Sequence, residues 1–291
     1  MNSLMISIIL VNYNAGPLLA RCIASALPQA QDILVIDNAS QDDSIALCQK
    51  EFSCAPQVRI FQNDKNLGFA AACNQGIRYA KGDFILFLNP DCLLSKKALS
   101  TLMDALLSDP RAGMAGGLLL NPDGREQEGG RRAIPTPWRA FVRAFGLHRL
   151  AGRFPELFFD FHLHTQPLPS TPCPVEAISG SCMLVKRETI ADVGPWDEGY
   201  FLHCEDLDWC MRMGQKGWKI LFVPSAPVFH TKGACSKSRP LFVEWHKHKG
   251  MIRFYRKFFS KDLPLPVMLL VVLGVWARFS LVSLKRLVAK P

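Results

Sequence analysis

Residues 5–40 read MISIILVNYNAGPLLARCIASALPQAQDILVIDNAS. Met5–Val11 is an apolar run broken only by Ser7, and it stops at Asn12-Tyr13-Asn14. Pro17–Leu27 then repeats apolar residues at helical spacing behind a proline, which suits a first helical turn. Ile33–Asp37 is a second apolar run, stopped by Asp37-Asn38. Short runs of Ile, Leu and Val without regular polar alternation are strands buried on both faces, and a helix between two of them makes a parallel crossover. The pattern continues with helix Asp42–Phe52, strand Val58–Phe61, helix Phe69–Ala80 and strand Phe84–Leu88. The expected fold is α/β, with a doubly wound, mostly parallel sheet. Such sheets bind ligands beyond the carboxyl ends of their strands. Here Asn12-Tyr13-Asn14, Asp37-Asn38, Asn63-Asp64 and Asn89-Pro90-Asp91 follow four strands in succession, so Asn and Asp collect along one edge.

Residues 121–172 interrupt this order. Their RRAIPTPWRAFVRAFGLHRLAGRF (131–154) sets Arg139, Arg143 and Arg149 among Trp138, Phe141 and Phe145. An amphipathic helix in an insertion fits, either as a lid or membrane-touching segment or as an ordinary surface helix. Regular structure resumes at Val175–Val185, a helix follows from about Asp206 to Gln215, and Trp218–Val223 reads as a strand. The expected division is a domain over 1–241 and a tail over 242–291.

Hydrophobic residues make up 49% of the 291-residue chain, which fills a core and excludes disorder. The net charge of +9 is concentrated in the tail: residues 1–230 hold 21 Lys/Arg against 23 Asp/Glu, residues 231–291 hold 13 against 2. In the tail WHKHKGMIRFYRKFFSK (245–261) precedes an apolar run, Leu265–Ala277, that reaches Leu284 across Arg278. Cations flank it on both sides, Arg256, Lys257 and Lys261 before and Lys285, Arg286 and Lys290 after. Cations beside an apolar run suit an anionic membrane surface better than nucleic acid. The clean run is short of the ~20 residues a span requires, so an interfacial or re-entrant helix is expected ahead of a span or a packing helix. The ten Cys follow no framework, which fits free thiols in a reducing compartment. The first residues lack a basic leader, so the catalytic part is expected in the cytoplasm.

Three places carry candidate chemistry. Asp91 lies just past a buried strand, either as a ligand-edge carboxylate or as the turn Asp of N-P-D-C. Asp37-Asn38-Ala39-Ser40 is either a ligand contact or an Asx-turn that caps the next helix. The strongest signal is FLHCEDLDWCMR (201–212), with three carboxylates inside four residues at a helix start. The helix N-terminus favours each charge by only about 0.3–1 kcal/mol. Asp208 and Arg212, four apart, pair on one helix face, which leaves Glu205 and Asp206 for capping or for chemistry.

Together these motifs resemble the family 2 glycosyltransferases of the GT-A fold, and within them the bacterial rhamnosyltransferase-like branch. The pieces occur in order over roughly 4–235: IILVNYN (8–14), VIDNAS (35–40), NLGFAAACNQG (66–76), GDFILFLNPD (82–91), SGSCMLV (179–185) and CEDLDWC (204–210), with His230 after the last strand. The resemblance implies a nucleoside-diphosphate sugar donor, held by Asn12, Tyr13, Asn14, Asp37, Asn38, Asn66, Gly68, Asn74 and Asn89. It implies a divalent cation, Mg²⁺ or Mn²⁺, at Asp91 with His230 nearby, and Asp206 as catalytic base with Glu205 beside it. Gly180 and Trp196 would face the acceptor, a glycan or lipid-linked glycan. Asn89 stands where the family's metal motif has its first Asp, one charge fewer for the cation. The Q-x-x-R-W motif of the processive members is missing, so one sugar per encounter is expected. The implied reaction is an inverting displacement at the cytoplasmic face of the inner membrane, with rhamnose the sugar that the branch suggests. A nicotinamide oxidoreductase is excluded because N-Y-N-A-G-P replaces G-x-G-x-x-G after the first strand. A non-catalytic nucleotide-sugar- or membrane-binding module on a degenerate transferase fold is the alternative.

Overall fold

A computed structural model describes residues 4–231, 233 and 239–288, so Lys290 and Cys235 lie outside the described residues. The strands are β1 Ile6–Asn12, β2 Asp32–Asp37, β3 Val58–Gln62, β4 Phe84–Leu88, β5 Cys92–Leu94, β6 Ala112–Leu120, β7 Arg131–Arg132, β8 Cys173–Val175, β9 Ala177–Ile178, β10 Cys182–Lys186 and β11 Lys219–His230. The helices are α1 Pro17–Ala26, α2 Ser44–Glu51, α3 Phe69–Tyr79, α4 Ala98–Ser108, α5 Pro137–Ala144, α6 Arg187–Val193, α7 Glu205–Gln215, α8 Pro240–Phe259 and α9 Leu265–Val288.

The main sheet has the order β3-β2-β1-β4-β10-β6-β11-β5, with β8 also on β11. β1 to β4 are parallel, as their apolar runs predict, and β6 and β11 run the same way. β10 is antiparallel between β4 and β6, and β5 and β8 are antiparallel to β11, so the sheet is mixed. The reason lies in connectivity: β10 arrives from the insertion without a crossover helix. One apolar layer packs α1, α2 and α4 on the sheet, and a second packs α3, α7 and α8 on its other face. The strand expected over Trp218–Val223 runs on to His230, and a register shift between Val223 and Pro227 lets it leave β8 and join β5. Bulges of this kind re-aim strand ends, and here the re-aimed end carries His230.

In the insertion, Arg139 pairs with Glu176 and Arg143 with Asp160. Trp138, Phe141 and Phe145 stack in series on the exposed side of α5. The nine described cysteines are free thiols. α9 is long and apolar enough to cross a membrane, and only 11% of its most apolar window is buried. It folds back antiparallel along α8: Trp245 meets Trp276 and Phe279, and Arg286 bonds Glu244 at 3.0 Å. His248 Nδ1 donates to the Glu244 carbonyl at 2.7 Å, so its Nε2 accepts from Arg278 at 3.2 Å. The one cation inside the apolar run is thus held by the neighbouring helix. α8 in turn presses on the loop before α7. A Cβ on Gly250 would stand 2.7 Å from the His203 carbonyl oxygen, so only glycine permits this approach.

Candidate active site

Register brings the first three strand ends together. Asn12 pairs with Asp37, Asp37 with Gln62, and Leu10 with Leu88, so Asn12 is level with the Asn89-Pro90 turn. Asn12 Nδ2 donates to Asp37 Oδ1 (2.7 Å), Ser44 Oγ (2.8 Å) and Ser40 Oγ (3.0 Å). Ser40 Oγ donates to Asp37 Oδ1 at 2.6 Å, and Ser40 N to Asp37 Oδ2 at 3.2 Å. Asn12 and Asp37 are buried, and only Asn12 Oδ1 of this knot lacks a partner. Asn14, left-handed at φ 52°, accepts from Gln41 N. Asn38 spans the next gap, donating to the Gly68 carbonyl and accepting from Asn63 Nδ2, both at 3.1 Å. Asn66 accepts from Gly68 N at 2.9 Å, and Gly68 takes φ 87°. Tyr13, Asn14 and Asn66 are partly exposed members of the group.

Two expectations are corrected by packing. Asn74 faces away from the strand ends: its amide donates to the Trp196 carbonyl and to Glu198, and accepts from Trp196 N at 2.9 Å. It ties α3 to the loop before α7. Trp196, expected on the acceptor side, is 2% exposed and packs edge-on against Phe87 and Phe69 and against Trp209. It is a core ring, out of reach of an acceptor.

Asp91 and His230 meet across the strand ends, with Asp91 Oδ1 3.2 Å from His230 Nε2 and both residues buried. Gln127 decides which proton the imidazole carries. Its amide nitrogen donates to Asn121 Oδ1 (2.8 Å) and to the His230 carbonyl (3.2 Å), so its oxygen faces His230 Nδ1 at 2.6 Å. Nδ1 must then hold the hydrogen, which leaves Nε2 as the ring atom that faces the Asp91 carboxylate. With a cation bound, Nε2 and the Asp91 carboxylate would be neighbouring ligands in a buried place. Cys92 shares the cluster, but burial first and the Asp91 charge second hold its thiol well above the usual range. Without a metal it stays a thiol, and a hard cation has little affinity for sulfur. The donor set is therefore oxygen and imidazole nitrogen, which suits Mg²⁺ or Mn²⁺ better than a thiophilic ion. Asn89, in place of a second carboxylate, donates to Ser181 Oγ at 3.2 Å.

The Ser179–Ser181 loop links this pair to the acidic helix start. Asn89 N donates to the Ser181 carbonyl at 3.0 Å, and Gly180 N donates to Asp206 Oδ2 at 3.2 Å. Asp206 Oδ1 accepts from Leu207 N at 2.8 Å, and Oδ2 also accepts from Arg132. Burial works against the Arg132 charge, and Asp206 overcomes it, so the guanidinium ends above its ordinary value. The turn that delivers these carboxylates is left-handed at two successive non-glycine residues, His203 (φ 68°) and Cys204 (φ 70°). Such strain collects where a site demands it. Glu205 turns inward: burial first, then the Asp206 charge, pushes its carboxyl up to about 8, and Oε2 has no partner among the described residues. Asp208 pairs with Arg212 at 2.7 Å, as its spacing predicts.

Gln127 and Arg132 were missed by sequence reading. Arg131 and Arg132 are adjacent on β7 and point to opposite sides, one to Glu126 and the other to Asp206. Nothing in an R-R pair marks which arginine reaches the site.

The model of the glycosyl transferase family 2 matches residues 7–193. The chain belongs to that family. Among relatives of this family 2 glycosyltransferase, the N-acetylglucosaminyl-diphospho-decaprenol L-rhamnosyltransferase of Mycobacterium tuberculosis is 32% identical over 262 residues, 85% of this chain and 82% of that one. The rhamnosyltransferase WbbL of Escherichia coli is 27% identical over 180 residues, 58% of this chain and 60% of that one. Among solved structures, GalNAc-T7 with UDP, GalNAc and Mn²⁺ superposes with TM-score 0.64 at 18% identity, over 89% of this chain and about half (49%) of that chain. The mannosyltransferase PcManGT from Pyrobaculum calidifontis, with GDP-Man and Mn²⁺, gives 0.60 at 16%, over 95% of this chain and 70% of that one. The fold is GT-A, and the protein is a glycosyltransferase.

Proposed function

We propose that this glycosyltransferase moves one hexosyl unit, rhamnose by analogy with its relatives, from a nucleoside-diphosphate donor to a hydroxyl of a lipid-linked glycan, with inversion. One observation carries the reading: Asp206 stands one short loop, Ser179–Ser181, from the Asp91–His230 pair. A base for the acceptor and an electrophilic site for the leaving diphosphate are thereby adjacent.

The roles follow from the atoms. A carboxylate offers about four lone-pair directions. Leu207 N, Gly180 N and Arg132 engage three on Asp206, leaving about one for an acceptor hydroxyl. Asp206 takes the hydroxyl proton as that oxygen bonds the anomeric carbon, and the carbon–oxygen bond to the diphosphate breaks on the opposite face. Arg132 sets a fixed positive charge against Asp206. Glu205, protonated near neutrality and turned inward, is a poorer base. Asp91 and His230 would hold Mg²⁺ or Mn²⁺, which when bound neutralises diphosphate charge. Asn12, Asp37, Asn38, Asn66 and Gly68 shape the donor wall, and Tyr13, Asn14 and Asn89 line it. Residues 1–241 form the transferase domain in this reading, with 121–172 as its variable insertion and 242–291 as the tail. The tail lies on the membrane at its cytoplasmic face in this reading; α9 following α8 with Arg278 and Arg286 engaged supports lying over spanning.

The test is a transfer assay on purified full-length protein with a nucleoside-diphosphate rhamnose and an N-acetylglucosaminyl-diphospholipid, with and without EDTA, the product anomer read by NMR. Inverted product that disappears in EDTA is expected. Retained configuration would overturn the mechanism, and donor binding without turnover on any acceptor would favour the non-catalytic reading.

A further inference from the structure

α8 carries Lys249, Arg253, Arg256 and Lys257 at i, i+4, i+7 and i+8, which places them on one helix face. They line an open cleft of about 670 Å³, bounded by Gly199 of the loop before α7 and by Trp276 of α9. Two of the cations are fixed. Arg253 bonds both Asp197 oxygens at 2.8 and 2.9 Å, and Lys257 lies 2.6 Å from Asp197 and from Asp208. Burial opposes the Asp197 charge, but Lys257 and Arg253 bring its carboxyl down to about 2, so this base of the cleft is ionised and rigid. Lys249 and Arg256 are exposed and form no ion pair among the described residues. Arg212 also claims Asp208, so the cations of the cleft outnumber its carboxylates, and Lys249 and Arg256 are the two without a carboxylate partner among the described residues. Beside them, Leu265, Leu269, Leu270 and Leu273 of α9 are 54–71% exposed.

We propose that this cleft is a lipid-phosphate site: it takes the phosphate headgroup of a membrane lipid whose chains lie along the leucine face of α9. The Arg256 fork matches phosphate oxygens. Two free cations match a headgroup with two charges, a terminal phosphate or a diphosphate, better than a phosphodiester with one. Trp276, an amphipathic ring between cleft and leucines, sits where headgroup meets acyl chain. The proposal rests on the reading of α9 as membrane-lying and not on the transfer chemistry.

The test is co-sedimentation of full-length protein with vesicles of phosphatidylcholine alone, with added phosphatidate, or with phosphatidylglycerol at matched total charge. Wild type is expected to favour phosphatidate. Lys249→Gln with Arg256→Gln is expected to lose about 30-fold on phosphatidate, two cations at about 1 kcal/mol each, and nothing on phosphatidylcholine. Arg239→Gln with Lys285→Gln removes the same charge at the other end of the helical hairpin and is expected to lose a small part of that, with Tm unchanged in both variants. Equal losses in the two variants would show a diffuse surface effect and overturn the site, as would equal wild-type binding to phosphatidate and phosphatidylglycerol. Failure to bind any vesicle would remove the α9 reading and the proposal with it, whereas strong phosphatidylcholine binding without phosphate preference would remove the cleft alone. Inorganic pyrophosphate that binds without vesicles, with the same dependence on Lys249 and Arg256 and no gain from vesicles, would make this a soluble-anion site and overturn the lipid assignment.

Discussion

The two halves of the ligand edge are built on opposite terms. At the ends of β1 and β2, Asn12, Asp37, Ser40 and Ser44 form a knot in which donors meet acceptors within 3.2 Å. Beyond β4, ionisable groups stand against one another in buried places: Asp91 against His230 Nε2, and Glu205 beside Asp206. Buried polar groups are normally satisfied because an orphan costs about 1–3 kcal/mol. The first half has the character of a scaffold that holds shape, the second that of a surface awaiting a cation and a proton.

Substitutions can break this contrast, beginning with the largest effect. Asp206→Asn keeps the volume and removes the proton acceptor. Turnover is expected to fall about 10²–10⁴-fold, with donor affinity unchanged by calorimetry. Near-normal turnover would move the base elsewhere and make the crowded half structural too. Gln127→Leu leaves the His230 ring free to choose its tautomer. Loss of such an outer partner typically costs 10–100-fold in metal affinity, to be read by Mn²⁺ titration with EPR detection. Gln127→Glu, which still accepts from Nδ1, should recover most of it. Unchanged affinity in the leucine variant would dissociate Gln127 from the cation.

In the scaffold half, Asn12→Ala leaves Asp37 and Ser44 short of a donor. A loss of about 1–3 kcal/mol is expected from the desolvation penalty of buried groups, seen as a lower denaturation midpoint. A further effect is a pH slope. Folded Glu205 titrates near 8 and the unfolded group near 4.5, so the folded state binds the extra proton in between. Its contribution to stability is complete below about 4.5 and disappears as pH rises toward 8. Glu205→Gln should flatten the fall of Tm over that window. An unchanged slope would mean that Glu205 is not the buried acid described above.

The sequence showed the scaffold half better than the working half. Buried parallel strands are continuous apolar runs, so β4 is read to the residue and β1 and β2 to within one. β6 was passed over because AGMAGGLLL opens on small residues, a weak apolar signal, and α4 before it was missed as well. β11 was cut short at Val223 because Pro224 and Pro227 look like a strand end, whereas the chain shifts register there and continues. In the candidate site, Asp91, Asp206 and His230 are residues that motif order singles out, and the structure gathers them near the Ser179–Ser181 loop. Asn74 belongs to a motif as well, and the resemblance implied Trp196, but packing turns both into the core. Gln127 and Arg132 sit in the irregular stretch that begins the insertion, and their partners are 103 and 74 residues away. No local pattern can report a contact of that separation.

The place of β10 has a consequence for how the protein is made. Strands β1 to β4 come from the first 88 residues, and β6 follows by Leu120, yet no ladder joins β4 to β6 directly. The closing strand is Cys182–Lys186. During synthesis the four parallel strands therefore wait with the β4 edge unpaired, and β6 waits with both its edges unpaired, until β10 and then β11 have been added. Unpaired edges of nascent sheets invite pairing with other chains. The interval between residues 120 and 186 is where a translational pause, a chaperone or a truncated product would decide whether this chain folds or aggregates.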